Sequence, residues 1–329
     1  MNFLNRISFT NLCITLFVCS VVLQANWFPL QASGYYEEAY EMEQTNTLFA
    51  IPLYEKALSQ KPTGKLQKAV VSRLFFLYKK HSKLLDALFL GSRYPSLIPS
   101  KDRSWIWNQL TEIYKPISLS DLSSTYVLAS KTNVENLSEL KEHLKQQNLP
   151  KLYEFASILL LKRKQYKVIL SLYEENPDMF LTPLFVGISE FKIGTEQGKE
   201  FLKQVLSNSE KERSDQEKSD ILYLMGVHYR QSNEHELSAR YFRMSGSFFA
   251  KTRAELEASK SLVLQGKTKE MCSTFKFSSS PFDEIETILF YHCSPSGAQN
   301  LRSILPSIRI LSEREGNEFL QVLFPKEEL

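Results

Sequence analysis

One frame recurs along this chain with an unchanged internal step, and it constrains the fold more than any bulk property does. Leu222-x2-Met225-Gly226-x2-Tyr229 is followed by Ser238-x3-Phe242. Thirty-three residues on, the frame returns as Ala258-Ser259-x2-Leu262 and then Met271-x3-Phe275. Sixty-nine residues back from Leu222, about two repeat lengths, it reads Tyr153-x2-Ala156-Ser157-x2-Leu160 and then Ile169-x3-Tyr173. In each copy the anchor of the second segment lies nine positions after the closing aromatic or leucine of the first. Steps of three and four put each set on one helix face, so each copy reads as two helices joined by a turn, which holds Asn233 in the first copy given and Gly266 in the next. A frame that returns at such a period marks stacked helical units, because each unit buries its apolar face only against a neighbour.

Composition agrees. Only 11 of 329 residues are glycine, about 3%, against a typical usage of about 7%. Glycine serves tight turns, bulges and phosphate loops, so its scarcity disfavours sheets and nucleotide-binding folds. Ser100 to Tyr114 reads as a helix with Ser100 as its cap, Trp105, Leu110 and Ile113 on roughly one face, and Pro116 after it. Asn136 to Gln147 reads likewise, with Leu137, Leu140 and Leu144 at helical spacing. No alternating apolar–polar run between turn dipeptides suggests a hairpin. The expected fold class is all-α.

The frame resembles the tetratricopeptide repeat, W-x2-L-G-x2-Y, then A-x3-F, then P. The best second-helix match is Ala50-x3-Tyr54-x2-Ala57, with Pro62 beyond it. The resemblance implies an α-solenoid of antiparallel helix pairs in a right-handed superhelix, with first helices lining a concave groove and second helices forming the outer wall. Departures are plain: Glu255 opens a first helix, Ser238 and Met271 replace the alanine, and no copy fits from Leu84 to Pro150. The charged run Ser209–Asp220 reads as a solvated loop or helix start, Gly297–Leu311 as a helix interrupted at Pro306, and Arg314–Glu328 as a cap. The expected organisation is a leader or anchor over 1–32, helical repeats over 33–150 and tetratricopeptide-like repeats with a cap over 151–329.

The implied groove residues lie off the packing stripe of each first helix. They are Tyr223, Val227 and Arg230 in one copy, Leu256, Lys260 and Val263 in the next, and Glu154, Ile158 and Leu161 in the earlier one. Arg230 and Lys260 are expected to hold their heads in water. The mixture of apolar and charged groups suits an extended peptide or a partner helix. The family's carboxylate-clamping asparagines are not visible.

No phosphate loop, dinucleotide fingerprint or nucleophile elbow occurs in the chain. His228 and His235 straddle a turn without a third ligand, and Cys272, His292 and Cys293 lack zinc spacing. The expectation is therefore no catalytic residue, no metal and no cofactor. A net charge of +3 with no basic concentration argues against nucleic acid. The N-terminus carries no charge from Ile7 to Tyr36, behind Arg6. It reads as a signal for export into a periplasmic or membrane-associated envelope location, cleaved after Ala25 or Ala32, retained as an anchor, or lipidated at Cys19. Cys272 and Cys293 are then either a disulfide or two buried thiols. The function expected is a non-catalytic scaffold of the bacterial cell envelope that binds another protein or peptide. Membrane contact is confined to the N-terminal segment. The alternative is an accessory or degenerate component of a cell-wall or lipid-processing enzyme system.

Overall fold

In the computed structural model, the described residues are 32–207, 213–248, 251–275 and 283–325. The leader expectation and Cys13 and Cys19 lie outside them. The described residues are helical and include no β-strand. In chain order the helices are α1 (32–45), α2 (Thr47–Ser59), α3 (Gly64–Lys80), α4 (Leu84–Arg93), α5 (Ser100–Ile113), α6 (Leu119–Lys131) and α7 (Ser138–Gln147). Then come α8 (Pro150–Lys162), α9 (Tyr166–Glu175), α10 (Leu184–Ile193), α11 (Thr195–Ser207), α12 (Asp215–Gln231) and α13 (His235–Phe248). The last are α14 (Lys251–Leu264), α15 (Thr268–Thr274), α16 (Glu284–Cys293), α17 (Gly297–Ser303), α18 (Leu305–Ser312) and α19 (Phe319–Leu323).

Helix starts follow from the polar residues before them, which satisfy amide groups that have no partner within the helix. Asn46 accepts from Leu48 N, Ser118 from Asp121 N and Asp283 from Ile285 N. Ser214 and Glu217 form a reciprocal capping box at the head of α12. Ser100, in contrast, is the first helical residue of α5 and not the residue before it. The buried stripe of α5 is Ile106 and Leu110, continued by Tyr114, while Ile113 is 59% exposed. The buried stripe keeps Leu110 but runs one residue beyond Trp105 and Ile113, since Trp105 and Trp107 both stay partly exposed on either side of Ile106. Pro306 falls in the first turn of α18, where a missing amide hydrogen costs nothing, so the chain breaks at Ile304.

The turns inside the repeated frame share one geometry. Asn233 and Gly266 take left-handed φ values of 60° and 77°, and so do Lys164 (57°) and Ser82 (54°). In all four turns the left-handed residue donates its N–H to the carbonyl three residues back, at 2.8–3.2 Å. The next N–H reaches the carbonyl five back, at 2.8–2.9 Å. That is a Schellman ending, which satisfies carbonyls the helix leaves open. The carbonyls accepting the longer bond belong to Leu160, Tyr229 and Leu262, the closing positions of the three copies, and to Tyr78. In each case the next helix starts two residues after the left-handed one, and its fourth residue is the anchor. Ala87, Ile169, Ser238 and Met271 are the four anchors, all fully buried, as is Ala50 at the same place in α2.

A further copy of the frame is thereby visible, Val71-x2-Leu74-Phe75-x2-Tyr78 and then Ala87-x3-Gly91. Glycine at the cap relieves the steric cost a side chain meets at positive φ. Ser82→Gly is expected to raise stability by about 0.5–1 kcal/mol in urea denaturation.

The small frame position works by close approach. A Cβ at Gly226 would sit 2.7 Å from two carbons of the Phe242 ring, the large residue of the paired helix. The Ser238 hydroxyl donates to the Gly226 carbonyl at 2.8 Å, so the anchor is tied to the same point. Gly226→Val is expected to overpack this contact and cost about 1–3 kcal/mol.

The chain forms two compact units. Of the described residues, one joins 32–106 to 283–317, so a late segment of the chain packs with early helices. There α18 packs on α2, and the Ser307 hydroxyl donates to the Phe49 carbonyl at 2.6 Å. Lys83 pairs with the buried Glu284 at 2.9 Å. The other unit runs from Trp107 to Ser280 and takes in α19. Within it α8 packs on α9, α10 on α11, α12 on α13 and α13 on α14. The first members also touch in series, α8 to α10, α10 to α12 and α12 to α14. Helix α19 rests against α14 and buries Phe319, Leu320 and Leu323.

Candidate functional site

Helices α8, α10, α12 and α14 open on one cleft of about 530 Å³. Helix α8 contributes Pro150, Glu154 and Ile158, α10 contributes Leu184 and Phe185, α12 contributes Gln216 and Asp220, and α14 contributes Arg253. The segment before α10 supplies Met179 to Thr182 as one wall. Leu181 on that wall is 58% exposed, an apolar side chain left in water at the mouth.

Asp220 is 4% exposed and accepts from Gln216 Nε2 at 3.0 Å and from the Thr182 hydroxyl. Burial pushes its carboxyl up, against those two hydrogen bonds and the Arg253 guanidinium. Glu154 is half-buried, and its carboxylate accepts no hydrogen bond from the described residues. Burial pushes it up, with Lys151 opposing and Asp220 adding repulsion. The Lys151 ammonium is held outward on the Lys115 carbonyl at 3.0 Å. Arg253 reaches Tyr223, whose ring centre is 4.4 Å from the guanidinium carbon. The cleft is thus an apolar hollow with two carboxylates and one guanidinium.

Of the residues expected to line a groove, the structure places Glu154 and Ile158 in this cleft. Tyr223 and Val227 pack against the apolar cluster around Leu224, and Leu256 is half-buried. Arg230 and Lys260 do not hold their heads in water. Arg230 Nη1 meets Glu257 Oε2 at 2.5 Å, its Nη2 reaches the Glu257 carbonyl at 2.7 Å, and its guanidinium lies 4.7 Å from the centre of the Phe242 ring. Lys260 Nζ meets the other Glu257 oxygen at 2.8 Å and faces the Phe319 ring of α19. Arg230 thereby ties α12 to α14, and Lys260 faces α19, which packs on α14. Burial raises the Glu257 carboxyl, but Lys260 and Arg230 together outweigh it and hold it at about 2.

Sequence reasoning missed Asp220 and Arg253. Asp220 closes the charged run assigned to solvent, and only its spacing to Leu224 and Val227 marks it as inward-facing. Among the described residues no group of three or more His, Cys, Asp or Glu is placed to hold a metal ion. None of the described helices is long and apolar enough to cross a membrane. Cys272 and Cys293 are disulfide-bonded, so they are not the pair of free thiols. Compared with protein-family models and with curated protein sequences, the chain matches none of them.

Proposed function

We propose that this chain is an exported, tetratricopeptide-like solenoid of antiparallel helix pairs, a scaffold of the bacterial cell envelope that performs no catalysis itself. Its task is to hold a peptide or partner helix in the cleft of its first helices. The observation that carries this reading is that four successive first helices contribute to one hollow, since in stacked helix pairs a continuous face of this kind is the usual binding surface. The contacts between successive first helices and the shared turn geometry support the stacking. The hollow's size and its apolar lining with few polar groups fit ligand capture. Disulfide-bonded cysteines support a place outside the reducing cytoplasm.

Two experiments test this. Immobilised protein is expected to retain a partner from envelope extract, and Leu181→Glu, which puts a charge at the apolar mouth, is expected to lose it while keeping its melting temperature. Sedimentation with purified peptidoglycan together with unaltered capture by the Leu181 variant would instead favour an accessory of cell-wall processing. For the compartment, thiol titration of protein isolated from cells and unfolded in denaturant is expected to detect no reactive Cys272 or Cys293. Two free thiols per chain at those positions would argue for a reducing environment.

A further inference from the structure

Resting on the peptide-cleft reading, we infer that the cleft selects a segment with a lysine or arginine beside an apolar residue, the cation seated between Glu154 and Asp220. The charges lining the hollow do not match. Two carboxylates and one guanidinium line the hollow, and the guanidinium is already engaged by Tyr223 and attracted to Glu257. Asp220 has neutral donors only, Gln216 and Thr182, besides the pull of Arg253. Glu154 has no hydrogen-bond donor among the described residues; burial and Asp220 disfavour its charge, with Lys151, whose ammonium is bonded to the Lys115 carbonyl, opposing from outside the hollow. A carboxylate in that position gains from a cation more than an exposed one does, because each partner strips water from the other in a site of low polarity. The neighbouring surface of Ile158, Leu181 and Phe185 is apolar and suits the adjoining side chain. An acidic segment would meet two carboxylates and lose.

The test uses the full chain in mild detergent and three fluorescein-labelled synthetic peptide pools. Their central position is fixed as arginine, alanine or glutamate, with leucine and randomised positions around it. Fluorescence polarisation is expected to rank arginine over alanine over glutamate, with the arginine pool at least about tenfold tighter than the glutamate pool. Glu154→Gln keeps shape and removes charge, and is expected to weaken the arginine pool about tenfold while leaving the alanine pool within about twofold. Circular dichroism confirms that the variant is folded, and Glu154→Asp, which restores charge, is expected to recover part of the preference. Equal binding of all pools, or a preference that survives Glu154→Gln, overturns the charge selection but leaves peptide capture standing. If no pool binds, the cleft reading itself falls and the selection with it.

Discussion

Lys83→Met is expected to destabilise the protein by about 3–5 kcal/mol, because it strands a buried carboxylate. Glu284 is 5% exposed, and its ion-pair partner is the Lys83 ammonium at 2.9 Å. Burial already pushes the Glu284 carboxyl up in spite of that lysine. Lys83 follows the left-handed Ser82, so the Schellman turn that ends α3 also aims this side chain at α16. Other ion pairs between the two chain segments of this unit are more open to water. In Lys56–Glu313 the side chains are 28% and 58% exposed, and such pairs contribute about 0–1 kcal/mol. Urea denaturation of Lys83→Met, Glu284→Leu and the double variant separates the terms. The double variant is expected to recover most of the loss, since the cost lies in an unpaired charge and not in the missing bond. A loss under about 1 kcal/mol for Lys83→Met would mean that the Pro281–Asn317 segment does not bury Glu284.

Reversing Arg230 and Lys260 to glutamate is the second large effect. From sequence, both belong on an open groove and the change falls within about 0.5 kcal/mol. From structure, the double reversal surrounds Glu257, whose side chain is 15% exposed, with like charge. A loss of at least about 4 kcal/mol is expected, read as a fall in melting temperature. The same cluster sets a pH signature. The Glu257 carboxyl is held at about 2, below its ordinary value of 4.5. Its contribution is therefore fully present above the ordinary value and lost as pH falls toward 2. It amounts to roughly 3 kcal/mol at one pKa unit per 1.36 kcal/mol. Glu257→Gln should accordingly lose less stability than the parent between about pH 5 and pH 3. Taking the difference between the two proteins removes Glu284, Asp220 and Glu154, whose raised carboxyls act in the opposite direction.

What was legible in the sequence was whatever a local rule writes directly into residue type. Glycine at 226 announces a close approach because no other residue permits it, and Phe242 fills the space. Asn233 and Gly266 announce their turn because both tolerate left-handed backbone. Lys164 and Ser82 adopt the same conformation without advertising it, so the copy from Val71 to Gly91 went unread. Within the cleft, Glu154 was found because helical phase locates it. Asp220 was not, because an acid in an alternating charged run looks solvated until α14 and the Met179–Thr182 wall stand beside it. Arg230 and Lys260 were placed on the correct helices but assigned water, since their environment depends on Glu257 and on α19, some sixty residues from Lys260. The return of the C-terminal segment to the first helices is a long-range pairing. No period within a 33-residue window encodes it.

A partner seated in the hollow lined by α8, α10, α12 and α14, as proposed, lies within reach of side chains on its rim. Site-specific photocrosslinking in intact cells tests this placement most directly, with p-benzoyl-phenylalanine placed at Ile158, at Leu181 or at Leu206. The first two line the cleft, and Leu206 is an exposed leucine on the second helix α11. One crosslinked species of the same mass from Ile158 and Leu181, and none from Leu206, is the predicted result. Crosslinking from Leu206 alone, or from all three positions equally, would contradict it.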